Sequence, residues 1–270
     1  MLAFPNAKIN IGLNILNRRE DGYHNIESVF YPVSLRDGLE VMTCEEGETE
    51  MHLSGIPVDG DTRKNLVYKA WELLHRDYGI GPASIYLHKQ IPMGAGLGGG
   101  SADCAFAIQL LSQVFELNLS TEKMEEHALE LGSDCPFFIQ NIPQLVTGRG
   151  ELMTPFVLKL SGWHLLLANP GIHVSTQVAY SQVVPCDPEV SLAEALQHPV
   201  AEWPGLVKNQ FETSVFPQFP TIERLKETLY DRGAAYASMT GSGSTVFGLF
   251  QTLPELSGLG CDFVWTAELD

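Results

Sequence analysis

The sequence predicts an α+β fold in two domains. Three observations carry this. A strand of period two opens the chain, a strand–glycine run–helix unit sits near its middle, and the second half mixes strands and helices without strict βαβ alternation. At about 150 residues per domain, 270 residues make one large or two small domains. Apolar residues make up 44% of the chain and charged ones 18%, enough to bury a core and unlike a disordered chain.

In the first element, Ala7, Ile9, Ile11, Leu13 and Ile15 alternate with Lys8, Asn10, Gly12 and Asn14, which gives one apolar and one polar face. Asp21-Gly22 reads as a turn before Tyr23 and His24, with strands over 26–33 and 39–43. Residues 54–63 carry Gly, Pro and Asp and read as a loop. Leu66, Val67, Ala70, Leu73 and Leu74 give a helix over 65–78, and a strand follows over 84–91. The helix after the glycine run, about 102–117, is apolar around most of its circumference and reads as buried. Ser120, Glu122 and Lys123 open a further helix that ends near Gly132. Glycines and prolines over 143–163 place a domain boundary there. Beyond it come a strand over 163–169, helices over 175–183, 191–197, 206–216 and 221–231, and strands over 235–239, 245–250 and 263–267.

Charge and cysteine content exclude several classes. Sixteen basic and thirty-three acidic residues give a net charge of −17, the wrong sign for a nucleic-acid binder or a protein that docks on anionic lipid. The five cysteines are scattered, with no C-x-x-C pair, which argues for free thiols in a reducing compartment rather than a disulfide framework or a zinc knuckle. No apolar run reaches roughly 18 residues, and no signal peptide is evident at the N-terminus, so a cytoplasmic protein is expected.

Chemistry concentrates in Pro92-Met93-Gly94-Ala95-Gly96-Leu97-Gly98-Gly99-Gly100-Ser101. Glycines between a strand and a helix let backbone N–H groups converge at the positive end of the helix dipole, a place for an anion. The Walker A pattern fails, because Gly100 stands where its lysine belongs. Gly94, Gly96 and Gly99 match G-x-G-x-x-G, but a second helix follows where a dinucleotide site needs a strand ending in an acidic residue. No G-x-S-x-G elbow or H-E-x-x-H pair is present.

The remaining pattern resembles the second motif of the GHMP kinases, P-x-x-x-G-L-G-S/G-S-x-A. Ala7-Lys8-Ile9-Asn10 is similar to the family's first motif, and Gly241-Ser242-Gly243-Ser244, after Met239-Thr240, to its third. Asp21-Gly22-Tyr23-His24, the run Gly132-Ser133-Asp134-Cys135-Pro136-Phe137-Phe138, and Gly148-Arg149-Gly150-Glu151 resemble the branch that acts on a cytidylylated sugar alcohol. The likeness runs in order from about residue 5 to 250, and several motifs in register are far more specific than one glycine loop.

The resemblance implies a two-domain GHMP kinase fold. Residues 1–152 would form a ribosomal S5 domain 2-like ATP-binding domain with a left-handed crossover, and 153–270 a ferredoxin-like domain. It implies phosphoryl transfer from ATP, with Mg2+, to the 2-hydroxyl of a cytidine-diphosphate-linked methylerythritol in the non-mevalonate isoprenoid route. Asp134 would accept the hydroxyl proton and Lys8 would hold that carboxylate ionised. By spacing alone, Asp134 reads as a turn aspartate and Lys8 as a solvated one. Asn10, Tyr23, His24, Tyr31 and Tyr180 would bind the acceptor, with aromatics stacked on cytosine. Tyr31 is open between this role and the core. ATP would meet Asn65, Pro92, Gly94, Gly96, Leu97, Gly98, Gly99, Gly100, Ser101, Gly241, Ser242 and Gly243. Asn65 and Ser101 are equally open to plain helix capping, and 241–243 to an ordinary hairpin loop. Lys89 stands between a phosphate ligand and a solvated strand end. No magnesium ligand is assigned, and the protein is expected to act as a monomer or a homodimer.

Two positions depart from the family. Ser101-Ala102-Asp103 stands where Ser-Ser-Asn is usual, and Cys135 replaces an apolar residue. An acid at Asp103 is repulsive to ATP unless it points away or meets the metal, and Asp134 is expected to raise the Cys135 thiol. Motifs two and three alone also admit a kinase of mevalonate, phosphomevalonate or homoserine. A non-catalytic nucleotide sensor is disfavoured because Lys8 and Asp134 are both kept.

Overall fold

The computed structural model describes residues 1–58 and 60–269. Its strands are β1 (Leu2–Ala3), β2 (Asn6–Arg18), β3 (His24–Arg36), β4 (Gly38–Thr43), β5 (Glu50–Gly55), β6 (Ala83–Lys89), β7 (Gln144–Thr147), β8 (Leu152–Pro155), β9 (His164–Asn169), β10 (Tyr236–Met239), β11 (Val246–Phe250) and β12 (Phe263–Glu268). The helices are α1 (Leu66–Tyr78), α2 (Gly99–Val114), α3 (Thr121–Leu131), α4 (Phe137–Gln140), α5 (Thr176–Tyr180), α6 (Leu192–Ala195), α7 (Trp203–Leu206), α8 (Glu212–Val215) and α9 (Pro220–Asp231).

The chain forms two compact units, and neither is one stretch of chain. The first takes 1–7, 34–93 and 98–142, and the second takes 8–33, 94–97 and 143–270. This division is not a single cut between 152 and 153: most of the first hairpin and four residues of the glycine run group with the C-terminal half.

In the first unit a four-stranded sheet runs β1-β4-β6-β5. β5 and β6 are parallel, and α1 lies in the crossover that joins them. α2 packs on β4 and contacts α1, α3 and α4. Its small, apolar residues Ala102, Ala105, Ala107, Ile108 and Leu111 are fully buried, as its sequence implies. α2 starts at Gly99, earlier than expected: the glycines take helical geometry despite a cost of about 1 kcal/mol each relative to alanine.

The second unit holds two sheets. In one, β10-β11-β9-β12 are all antiparallel, which in chain order reads second, third, first, fourth, the split arrangement of a ferredoxin-like fold. Among the described residues no helix forms between β11 and β12. α9 covers β10 and β11, and Ile222, Leu225 and Leu229 share a core with Leu166, Val246 and Phe250. The other sheet is β2-β3-β7-β8. The stretch 143–163, expected as a boundary, supplies its β7–β8 hairpin, with Gly148 and Gly150 at positive φ in the turn.

The helix expected over 206–216 is broken into α7 and α8. Between them, Leu13 of β2 donates its N–H to the Lys208 carbonyl at 2.8 Å and accepts the Gln210 N–H at 2.8 Å. Asn209, 1% exposed, donates Nδ2 to the carbonyls of Met239 (2.6 Å) and Gly241 (2.9 Å) and accepts the Phe211 N–H at 3.0 Å. Removing this amide strands buried backbone groups. Asn209→Ala is expected to lower unfolding stability by about 2–4 kcal/mol in urea denaturation, and a loss below about 0.5 kcal/mol would show the clasp to be dispensable.

Candidate active site

In the second unit, the polar face of β2 is as buried as its apolar face from Lys8 to Gly12. Lys8 is 3% exposed and Asn10 1%. A buried ammonium needs a defined environment: Lys8 Nζ donates to Asn10 Oδ1 at 2.5 Å and lies 4.2 Å above the Phe30 ring centroid. Asn10 Nδ2 donates to Ser28 Oγ at 3.0 Å, and Ser28 Oγ donates to the Gly12 carbonyl at 2.6 Å, so the amide is oriented from both ends. The Asn10 N–H is accepted by Thr240 Oγ1 at 2.9 Å. That hydroxyl lies 3.0 Å from the Gly96 carbonyl, and the Lys8 N–H bonds the Leu97 carbonyl at 2.9 Å.

These contacts bring three of the expected groups together: Lys8 and Asn10, Gly96 and Leu97, and Gly241. Gly96 has φ +78°, and a Cβ there would lie 2.0 Å from the Thr240 carbonyl oxygen. A Cβ on Gly241 would come within 3.1 Å of the Gly96 Cα. Gly243 has its Cβ position blocked by the Met239 sulfur at 2.7 Å. Thr240, Ser28 and Asn209 were not among the expected site residues. Only Thr240 had a signal, its place just before the third motif.

The aromatic residues divide. His24 and Tyr180 stack on each other, 5.0 Å between centroids and 19° between planes. That spacing leaves no room for a base between those two rings. Burial pushes the His24 imidazolium down, with Arg18 adding to the effect. Tyr23 is 59% exposed and carries the Arg149 guanidinium 5.1 Å from its ring centroid. Tyr31 is buried in β3.

In the first unit, Gly98 has φ +70° and caps α2 without a side chain. Gly99 is packed against Ile91, whereas a Cβ on Gly100 would meet nothing within 4 Å, so this part of the helix start is open. Pro92 lies partly buried in the preceding loop. Asn65 is the N-cap of α1, with Oδ1 accepting the Val67 N–H at 2.9 Å. Asp134 sits in the turn after α3, partly buried, with the Ser133 hydroxyl 3.5 Å from its Oδ1.

Lys89 fits neither expectation. It is buried between two carboxylates, ion-paired with Asp37 Oδ2 and, at 2.7 Å, with Asp103 Oδ2. Asp37 Oδ1 also accepts the N–H groups of Gln90 (2.5 Å) and Ile91 (2.8 Å), which fixes the chain entering the glycine run. Asp103, the departure from the family, thus points into the protein. Asp103 Oδ1 has no hydrogen-bond partner. Burial pushes its carboxyl up to about 7, against the pull of Lys89, and Asp37 adds to the rise.

Asp134 does push the Cys135 thiol upward, but hydrogen bonds from Cys104 and Ser101 outweigh it, so Cys135 is lowered overall and Cys104 raised. Both thiols are fully buried.

Residues 65–141 match the family described as GHMP kinases N terminal domain, and 192–257 match GHMP kinases C terminal. The chain belongs to the GHMP kinases, a family of ATP-dependent small-molecule kinases. Its relatives include proteins named 4-diphosphocytidyl-2-C-methyl-D-erythritol kinase. One from Bacteroides fragilis is 51% identical over 252 residues, 93% of this chain and 92% of that one. One from Parabacteroides distasonis is 48% identical over 272 residues and the whole of both chains. A crystal structure of 4-(cytidine 5'-diphospho)-2C-methyl-D-erythritol kinase superposes with a TM-score of 0.79 at 32% identity, over 92% of this chain and 90% of that one. Streptococcus pneumoniae phosphomevalonate kinase, with a TM-score of 0.71 at 13% identity over 100% and 99% of the two chains, shares the fold alone.

The Asp103 carboxyl predicts a pH signature. Between about pH 4 and 7 the unfolded chain has lost this proton and the folded chain keeps it, so its contribution to stability declines as pH rises through that window. Asp103→Asn is expected to flatten the decline in denaturation midpoint from pH 4 to 7. An unchanged slope would mean that Asp103 is ionised throughout.

Proposed function

We propose that this kinase transfers the γ-phosphoryl group of ATP to the 2-hydroxyl of 4-diphosphocytidyl-2-C-methyl-D-erythritol, a step of the non-mevalonate isoprenoid route. The observation that carries this is the 48–51% identity to kinases of that name across nearly the whole chain, with the Lys8, Asn10 and Asp134 motifs intact. The free state of all five cysteines supports action in a reducing compartment, the cytoplasm.

The open start of α2, Gly98 to Ser101, offers backbone N–H groups and a helix dipole to the phosphates. Asn65 commits Oδ1 to its cap and keeps Nδ2 for the adenine. Asp134 accepts the proton as the substrate O–H bond breaks and the O–P bond forms, with ADP leaving. The Lys8 ammonium, held by Asn10, balances the charge that develops. The exposed Tyr23 ring is the stacking platform for cytosine, and His24 with Tyr180 supplies hydrogen-bonding edges beside it.

Mg2+ is a hard cation that takes oxygen ligands. The Ser101 hydroxyl, at the open start of α2 and outside the lysine-neutralised Asp37–Lys89–Asp103 cluster, fits it and would hold it together with the ATP phosphates. Bound there, it supplies neutralisation of phosphate charge.

The test is ATP-dependent ADP release by purified protein with the cytidylylated acceptor, mevalonate, phosphomevalonate and homoserine offered in parallel. Release is expected with the first alone, and Asp134→Asn should lower kcat by about 10²–10⁴ while ATP affinity holds. Turnover of another acceptor would overturn the substrate, and full activity of Asp134→Asn would remove the assigned base.

A further inference from the structure

α1 and α3 of the first unit bring Asp77, His127 and Glu130 together on a face that the proposed kinase chemistry does not use. One donor atom from each residue lies within 4.8 Å of the others. Carboxylates clustered at a surface are common, and Arg76 already bridges these two. Its Nε and Nη2 donate to Asp77 at 2.6 and 2.9 Å, and Nη2 donates to Glu130 Oε2 at 3.3 Å. Glu130 Oε1 is left turned toward the histidine.

The histidine makes the cluster unusual. His127 is 2% exposed, and its Nδ1 has no hydrogen-bond partner. It points at Asp77 Oδ2 and Glu130 Oε1, each 3.8 Å away, too far for a hydrogen bond. The opposite nitrogen, Nε2, lies 2.8 Å from the Tyr78 hydroxyl. The tautomer that a metal requires carries the ring proton on Nε2, donated to the Tyr78 oxygen, and leaves Nδ1 as a lone pair aimed between two carboxylate oxygens. Arg76 neutralises the carboxylates from outside, and leaves the buried Nδ1 without a partner.

We propose that Asp77 Oδ2, His127 Nδ1 and Glu130 Oε1 form a binding site for a divalent transition-metal cation of the zinc class. One nitrogen and two carboxylate oxygens suit Zn2+, and at bonds of about 2.0–2.1 Å tetrahedral donors stand about 3.3–3.4 Å apart. The 3.8 Å separations therefore need to close by roughly half an ångström, with water as the fourth ligand. Tyr78 orients the imidazole from the far nitrogen, and Arg76 orients the two carboxylates, the usual outer partners of such a site. The ion clips α1 to α3, both of which pack on α2.

The test titrates Zn2+ alone, without nucleotide, into untagged, chelator-stripped protein by calorimetry, with thermal unfolding alongside. One equivalent is expected to bind in the micromolar range or tighter and to raise the melting temperature. Glu130→Gln, at a half-exposed position where folding is not at stake, should weaken binding at least tenfold and abolish the thermal shift. His127→Gln should do the same. No uptake by the unaltered protein would overturn the site, and so would uptake undiminished in Glu130→Gln, which would place the ion on other donors.

Discussion

No atom can be added between Gly96 and Thr240. A methyl group on Gly96 would lie 2.0 Å from the Thr240 carbonyl oxygen, inside any contact a protein tolerates. This backbone-on-backbone approach holds together three segments that are distant in sequence. Thr240 Oγ1 receives the Asn10 N–H, the Thr245 N–H reaches the Ala95 carbonyl at 3.3 Å, and Leu97 receives the Lys8 N–H. Lys8 is therefore aimed by the glycine run and the third motif together. Glycine at 96 and 241 shapes this contact, whereas glycine at 100 leaves the start of α2 open.

Each unit also buries charge that it has no need to bury for stability. A buried ion pair seldom stabilises a fold more than apolar packing of the same volume, and removing one partner costs several kcal/mol. Lys89 with Asp37 and Asp103, and Lys8 with Asn10 and Phe30, are better understood as devices of placement. The first fixes the strand end entering the glycine run through the Gln90 and Ile91 N–H groups. The second fixes an ammonium on the inward polar face of β2.

Much of this is legible in the sequence where the signal is local. The alternation over 7–15, the helical pattern over 66–78 and the glycine run all become the expected elements, and the third motif meets the first and second at Thr240. What is not legible depends on contacts made at long range. β5 alternates only two apolar residues, Met51 and Leu53, with Glu50, His52 and Ser54, and buries neither deeply, too short a pattern to announce a strand. The glycines and prolines of 143–163 serve a hairpin turn and a strand end, chemistry that a linker shares. Nothing near Asn209 signals that its amide holds the Met239 and Gly241 carbonyls while the backbone of Lys208 and Gln210 pairs with Leu13 of β2. Asp37, Lys89 and Asp103 lie on separate elements, so Lys89 reads as solvated and Asp103 as exposed to ATP until the fold pairs them. The same holds for His127, whose partners lie on another helix and a turn of its own.

The direct test of the Gly96–Thr240 approach compares two glycines of the run that share a positive φ and differ in what surrounds them. Gly96 (φ +78°) faces backbone, and Gly94 (φ +61°) faces only the exposed His173 ring, 3.2 Å from its Cβ position. Steady-state kcat/KM for ATP is measured for Gly96→Ala and Gly94→Ala, with folding of each confirmed by circular dichroism. A displaced site costs on the order of a hundredfold in rate. That loss is expected for Gly96→Ala, and a loss below about tenfold for Gly94→Ala, where only left-handed strain acts. Equal losses in the two variants would contradict it, because backbone strain alone would then explain both.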